Sequence, residues 1–293
     1  MKKILAILGL IFLLTGCSAQ SGSMEGITVY TSAYPIEYIT STLYGDNSTV
    51  YSIYPTGTNI NNYKLTTNQI ENYAKSSSLF VYNGLMGEGT KTAEVNYAAT
   101  MLKSNSDIKI IDAAKGMEYS NNVEEIWLNP SNMLMMANNV MSGLKEYITN
   151  PYLVKSIKTN YTELQLALSA LDADYKNMYE NASTTTIVVS SDTFKFLTKY
   201  NFNVISLEEN SNLTAKTISD VKKLINNGTV KYIYVRDDEK INSTIANLLT
   251  ATTVKTLEIY TMTSISQTQR DEKEDYVSIM KSNLLQFQME VYK

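Results

Sequence analysis

The chain has 293 residues, a formal charge of −4, a single cysteine and no histidine. An acidic balance without any basic block argues against nucleic acid as a partner. With no imidazole and one thiol, the usual nucleophile–base arrangements of enzymes are missing. No glycine-rich phosphate loop replaces them, so an enzyme is not expected.

Lys2 and Lys3 open the chain, residues 4–14 form an almost unbroken apolar run, and Leu14-Thr15-Gly16-Cys17 closes it. A basic start, a short apolar centre and a small-residue end make a secretory signal, and the run is too short for a stop-transfer helix. Its end is similar to a bacterial lipobox, which implies cleavage before Cys17 and lipid on the new N-terminus. Acyl chains contribute about 0.8 kcal/mol per buried methylene, so two or more anchor a protein firmly. The expected partner at this end is the membrane, and the expected place is extracytoplasmic, lipid-anchored to the bacterial cell membrane. Residues 1–16 are then the signal peptide. Residues 17–26, small and polar, are a lipidated tether. Losing residues 1–16 removes Lys2 and Lys3 and no acid, which leaves −6. A lipidated Cys17 also leaves the folded part with no disulfide and no thiolate metal site.

Beyond the tether, β-branched and aromatic runs at residues 27–31, 49–54, 79–82 and 108–111 predict strands. Helical patterns lie between them at about 36–44, 67–75 and 93–103. The alternation returns after residue 180, with strands at 185–189, 203–206, 231–235 and 255–259. Helices are predicted there at 193–200, 218–226 and 243–250. Such alternation implies parallel sheets covered by helices. In between, Ile157, Tyr161, Leu164, Leu168, Leu171, Tyr175 and Met178 are spaced 4-3-4-3-4-3. That is one apolar stripe on a long helix, which no proline or glycine interrupts over residues 152–182. The expected fold class is α/β, with two similar lobes joined by one long rigid helix. Each lobe is a four-stranded parallel sheet with helices on both faces. The expected division is an N-terminal lobe at 27–150, the linker helix at 151–182 and a C-terminal lobe at 183–293. Tyr30, Tyr34, Tyr38, Tyr51 and Tyr54 crowd the first lobe, either as packing or as the lining of a cleft.

Several ordered motifs carry a resemblance. They are Val29-Tyr30-Thr31-Ser32-Ala33-Tyr34-Pro35, Ile53-Tyr54-Pro55-Thr56-Gly57, Phe80-Val81-Tyr82-Asn83-Gly84, Ile110-Ile111-Asp112-Ala113-Ala114-Lys115-Gly116 and Trp127-Leu128-Asn129-Pro130. Residues 171–175, 194–200 and 276–284 continue the series. Together they resemble the substrate-binding lipoproteins of zinc- and manganese-type ABC importers, some of which were first described as adhesins. The resemblance implies an ABC permease as partner and a metal held between the lobes by residues of both. The family's ligand positions fall on Asn61, Glu125, Ser191 and Thr263, where histidine, histidine, histidine or glutamate, and aspartate are usual. Asp192 stands next to Ser191.

One carboxylate, two hydroxyls and an amide do not suit zinc, which prefers imidazole, thiolate and carboxylate in tetrahedral geometry. A hard divalent cation could instead take oxygen from Glu125, Asp192 and Asn61 with water completing the shell, unless both carboxylates are merely solvated. Asn61, Ser191 and Thr263, near Tyr34 or Tyr63, would also suit a small polar molecule. The run Asp237-Asp238-Glu239 lacks the spacing of a calcium loop. It reads as the solvated start of the helix reaching Leu249, where acids favour the helix dipole. The resemblance thus implies a solute-binding lipoprotein with an altered or lost metal site. The alternative is a surface lipoprotein, an adhesin or envelope-complex partner, that kept the fold without transport.

Overall fold

The computed structural model describes residues 24–85, 93–117 and 125–292. The expected signal peptide, Cys17 and residues 18–23 of the tether lie outside them. In the first lobe β1 (Thr28–Thr31), α1 (Tyr34–Tyr44), β2 (Thr49–Ser52), α2 (Thr67–Ser76), β3 (Leu79–Tyr82), α3 (Ala93–Ser104) and β4 (Lys109–Asp112) alternate. Next come α4 (Pro130–Tyr147) and α5 (Pro151–Glu180). The second lobe holds β5 (Thr186–Val189), β6 (Asn203–Ser206), α6 (Ala215–Asn226), β7 (Tyr232–Arg236), α7 (Ser243–Ala251) and β8 (Lys255–Ile259). It ends with α8 (Gln267–Asp271) and α9 (Tyr276–Val291).

The two sheets are built alike. One runs β2-β1-β3-β4, the other β6-β5-β7-β8, and every pairing is parallel. Burial on both faces explains runs such as Leu79-Phe80-Val81 and Ile187-Val188-Val189, all fully buried. In each sheet the order reverses beside the first strand, between β1 and β3 and again between β5 and β7. Ligands of open parallel sheets settle beyond the strand C-termini at such a reversal.

All eight predicted strands are present, with ends shifted by at most two residues. Some segments differ from expectation, among them the five-residue α8, which lies outside the predicted helices. The predicted helix at 193–200 is a 3-10 segment, Asp192–Tyr200. The 18-residue α4 is not among the predicted helices. It starts at Pro130, whose fixed φ suits a first turn, and Asn129 accepts a hydrogen bond from Ser131 N at 3.1 Å. Its buried stripe is Met133, Met136, Ala137, Val140 and Leu144.

The long helix α5 has 30 residues, about 45 Å at 1.5 Å per residue. Of its predicted stripe, Ile157, Leu164, Leu168, Leu171, Tyr175 and Met178 are buried and Tyr161 is half-buried. It packs on α1 and α4 of the first lobe and on α9 of the second. Asn160 Nδ2 donates to Leu43 O at 3.0 Å, and Tyr175 Oη donates to Met280 O at 3.2 Å. One apolar core runs from the first lobe through α5 into the second, with a smaller cluster under the outer face of each sheet. Most of the early tyrosines serve packing. Tyr30 lies 5.8 Å from Tyr51 and 4.6 Å from Tyr73 between ring centres, and Tyr54 lies 6.2 Å from Tyr63.

Candidate functional site: the inter-lobe cleft

The loops leaving the strand C-termini of both lobes meet at one seam. From the first lobe comes the loop after β2. Gly57 turns it at φ +75°, a left-handed conformation that favours glycine. Its N–H donates across the seam to Ile265 O at 2.9 Å. Four residues on, Asn61 Nδ2 donates to Glu125 Oε1 at 3.1 Å. Glu125 precedes the 3-10 turn Ile126–Leu128, which Trp127 pins to the other lobe. The Trp127 indole N–H donates to Thr261 O at 2.8 Å, and its carbonyl accepts from Tyr276 Oη at 2.6 Å.

The second lobe brings a residue that the sequence reading overlooked. Arg236, the last residue of β7, projects from the strand end at the sheet's reversal point. Its Nη2 donates to Glu125 Oε1 at 2.7 Å and to Asp238 Oδ2 at 2.9 Å. Its Nε donates to Asp238 Oδ1 and its Nη1 to Thr193 Oγ1, both at 2.8 Å. Thr263 Oγ1 donates to Asp238 Oδ2 at 2.8 Å, and Asn59 Nδ2 does so at 3.1 Å. Ser191 stands one step out, with its Oγ 3.1 Å from Thr193 Oγ1 and 3.0 Å from Glu208 Oε2. Asn61, Glu125, Ser191 and Thr263 therefore surround one buried polar cluster, and a guanidinium stands at its centre.

The electrostatics are those of a satisfied buried ion pair. The side chains of Arg236, Glu125 and Asp238 are 9%, 6% and 7% exposed. Burial alone would push the Asp238 carboxyl up. The hydrogen bonds and charge of Arg236, with the Thr263 hydroxyl, outweigh it and hold the group below the usual carboxylate range. Burial likewise works against the Arg236 cation, but Asp238 and Glu125 more than offset it and keep the guanidinium charged.

Two expectations are corrected. Glu125 and Asp192 are not solvated; both are buried. Asp192 pairs with Lys195 Nζ at 2.8 Å and lines the same hollow as Glu125. The run 237–239 does not open a helix. α7 begins at Ser243 with Asn242 as its cap, and Asp238 belongs to the cluster. Asp237 Oδ1 accepts from Thr261 N and Oγ1 at 2.8 and 3.0 Å. Arg236 did leave a signal. It ends the apolar strand 232–235 directly before three acids, and the chain has only two arginines.

Two hollows adjoin the cluster. One, about 10 Å³, is lined by Tyr34, Glu37, Thr263 and Arg270, among others, and holds one water at most. The other, about 290 Å³, opens beside Glu125, Asn129, Asn132, Asp192, Lys195 and Lys199. Among the described residues, no group of three or more His, Cys, Asp or Glu is placed to hold a metal.

A two-lobed α/β scaffold with its polar site at the facing strand ends is the architecture of an extracytoplasmic binding protein. The family model described as zinc-uptake complex component A, periplasmic (ZnuA) matches residues 29–289, and the chain belongs to that family. A prokaryotic membrane lipoprotein lipid attachment site matches residues 1–18, so the protein is an extracytoplasmic, lipid-anchored one. The zinc-binding protein AdcA of Streptococcus pyogenes serotype M1 is 23% identical over 315 residues, covering 97% of this chain. The chain spans 60% of that relative's length. The metal-dependent lipoprotein YcdH of Bacillus subtilis superposes with a TM-score of 0.74 at 21% identity, covering 91% of this chain and all of that one. The laminin-binding protein Lbp of S. pyogenes does so with 0.72 at 17%, covering 91% and 99%.

Proposed function

We propose that the chain is the solute-binding lipoprotein of a metal-type ABC importer whose cleft no longer takes zinc. Family membership, the attachment site and the two-lobed scaffold support the general role. In this reading lipid on Cys17 holds the protein at the membrane, and the closed lobes dock on a permease. The observation that carries the altered cleft is the bond from Arg236 to Glu125. Glu125 is the only acid among the four family ligand positions, and it is already neutralised. The remaining donors, an amide and two hydroxyls, are poor zinc ligands. Asp192, the other acid named for a hard cation, is neutralised by Lys195. The solute is therefore a small polar molecule, taken in the 290 Å³ hollow, where amides and both signs of charge line the wall. No enzymatic activity is assigned.

A second reading, a surface lipoprotein without transport, is favoured by the way the protein's own groups, Arg236 on Glu125 and Gly57 N on Ile265 O, already join the lobes. One set of measurements separates the two. The mature lipoprotein in detergent is analysed by native mass spectrometry with elemental analysis. Its unfolding temperature is then screened against divalent cations and small polar solutes. A ligand that binds only the native state must raise stability. The transport reading expects no stoichiometric zinc and stabilisation by a polar solute. Silence across the panel at millimolar concentration rejects it in favour of the second reading. Tightly held zinc refutes the altered cleft.

A further inference from the structure

The chain's only two arginines both lie on the seam, and both belong to the second lobe. Each grips a carboxylate of the first lobe. Arg236 reaches Glu125, and Arg270 of α8 forks onto Glu37 of α1, with Nη1–Oε1 at 2.7 Å and Nη2–Oε2 at 2.8 Å. The guanidinium is planar and always charged, and its fork matches a carboxylate, which a lysine cannot imitate. Glu125 and Asp238 are both buried, and a positive charge between them offsets the cost of holding two like charges out of water. We propose that the Arg236 guanidinium is the cleft's own cation, a specificity-determining residue that holds Glu125 of one lobe on Asp238 of the other and excludes divalent metal.

The geometry supports the substitution atom by atom. A single nitrogen, Nη2, touches both Glu125 Oε1 and Asp238 Oδ2, at 2.7 and 2.9 Å. An ion at that point would meet two carboxylate oxygens from opposite lobes. Asp238 Oδ1, the Thr193 hydroxyl and water would complete an oxygen-only shell, the kind that suits a hard divalent cation at about 2.3–2.6 Å. The guanidinium fills that point and is tethered to β7, so closure needs no solute. Removing it should convert the cleft into a site for calcium or manganese.

This inference rests on the reading of an altered cleft, and the test separates the two. The mature lipoprotein in detergent is followed by thermal unfolding with and without 1 mM calcium, manganese or zinc. Wild type is expected to shift by less than about 1 °C, in line with a site that has no affinity. R236A is expected to unfold at lower temperature and to recover by at least about 3 °C with calcium or manganese. R236A/E125Q should lose that recovery, and R236K, which keeps the charge, should stay unresponsive. A responsive wild type overturns both the inference and the altered cleft. A silent wild type with a folded, silent R236A overturns the inference alone. Should R236A not fold, R236K decides: indifference to cations upholds the proposal, and stabilisation by them overturns it.

Discussion

The two lobes share strand order and direction, yet they finish equivalent strands in opposite ways. In the first lobe, the strand beyond the reversal point is β3, and its end closes on the lobe itself. Asn83 N donates to Glu94 Oε2 at 3.0 Å, and Gly84 N donates to Asp112 Oδ1 at 2.9 Å. Gly84 is glycine because an added Cβ would lie 2.3 Å from the Asp112 carboxyl carbon. In the second lobe the corresponding strand is β7, and it ends in Arg236, which leaves its own lobe for Glu125. One scaffold thus spends its strand end on local order, and its twin spends it on the seam. A duplicated fold fixes where a site can sit, and a single residue at the reversal point decides whether that site stays internal or reaches across.

The largest effect should come from the arm that crosses. R236A strands Glu125 and Asp238 in the interior, and breaking a buried pair by deleting one partner costs roughly 3–5 kcal/mol. Urea denaturation of wild type and variant gives this number directly, and a loss under about 1 kcal/mol would mean that water already screens the pair. The self-contained end should cost less. In G84A the new methyl must displace Asp112, which loses its bonds to Gly84 N and Ala114 N, for about 1–3 kcal/mol. Its cation response should stay as silent as wild type; a G84A protein that gained one would show that the two strand ends are coupled. Smaller again is R270K. Arg270 is 31% exposed and Glu37 13%, so the lost fork should cost about 1 kcal/mol, between exposed and buried pairs. The same denaturation series measures it.

How legible this was follows from the range of each interaction. The strands showed themselves because parallel strands covered on both faces are continuous apolar runs. The long helix did so through one unbroken stripe. α4 was hidden because its stripe is short and partly built from methionine and alanine, with asparagines between its members in sequence. At the cleft, the positions taken from ordered motifs, Asn61, Glu125 and Thr263, lie around one cluster, but no motif pointed to the residue at its centre. Arg236 and Glu125 are 111 residues apart, and no local pattern joins them. Asp238 was misplaced for the same reason: a helix dipole is a local rule, and the charge that holds this acid is its neighbour's guanidinium. Ser191 falls one hydrogen bond outside the centre, which an alignment by motif cannot resolve.

Acid sharpens the contrast between the lobes with the smallest effect. Asp238, held low against burial by Arg236, is a group whose folded value lies below the unfolded one, about 3.9. Its contribution is complete above that value and is lost as pH falls through the folded value. Asp112 runs the other way. Burial pushes its carboxyl up beyond what the Ala114 and Gly84 amides and Lys115 offset. Its ionised form therefore weakens the fold, and stability is regained as pH falls through its folded value toward about 3.9. As pH falls toward about 4, D112N should remove a small gain on acidification. Below about pH 4, D238N should flatten a loss. Unfolding free energies measured at half-unit steps for both variants and wild type decide the point. If both asparagine variants bend the curve in the same direction, the two strand ends are not the electrostatic opposites that their hydrogen bonds describe.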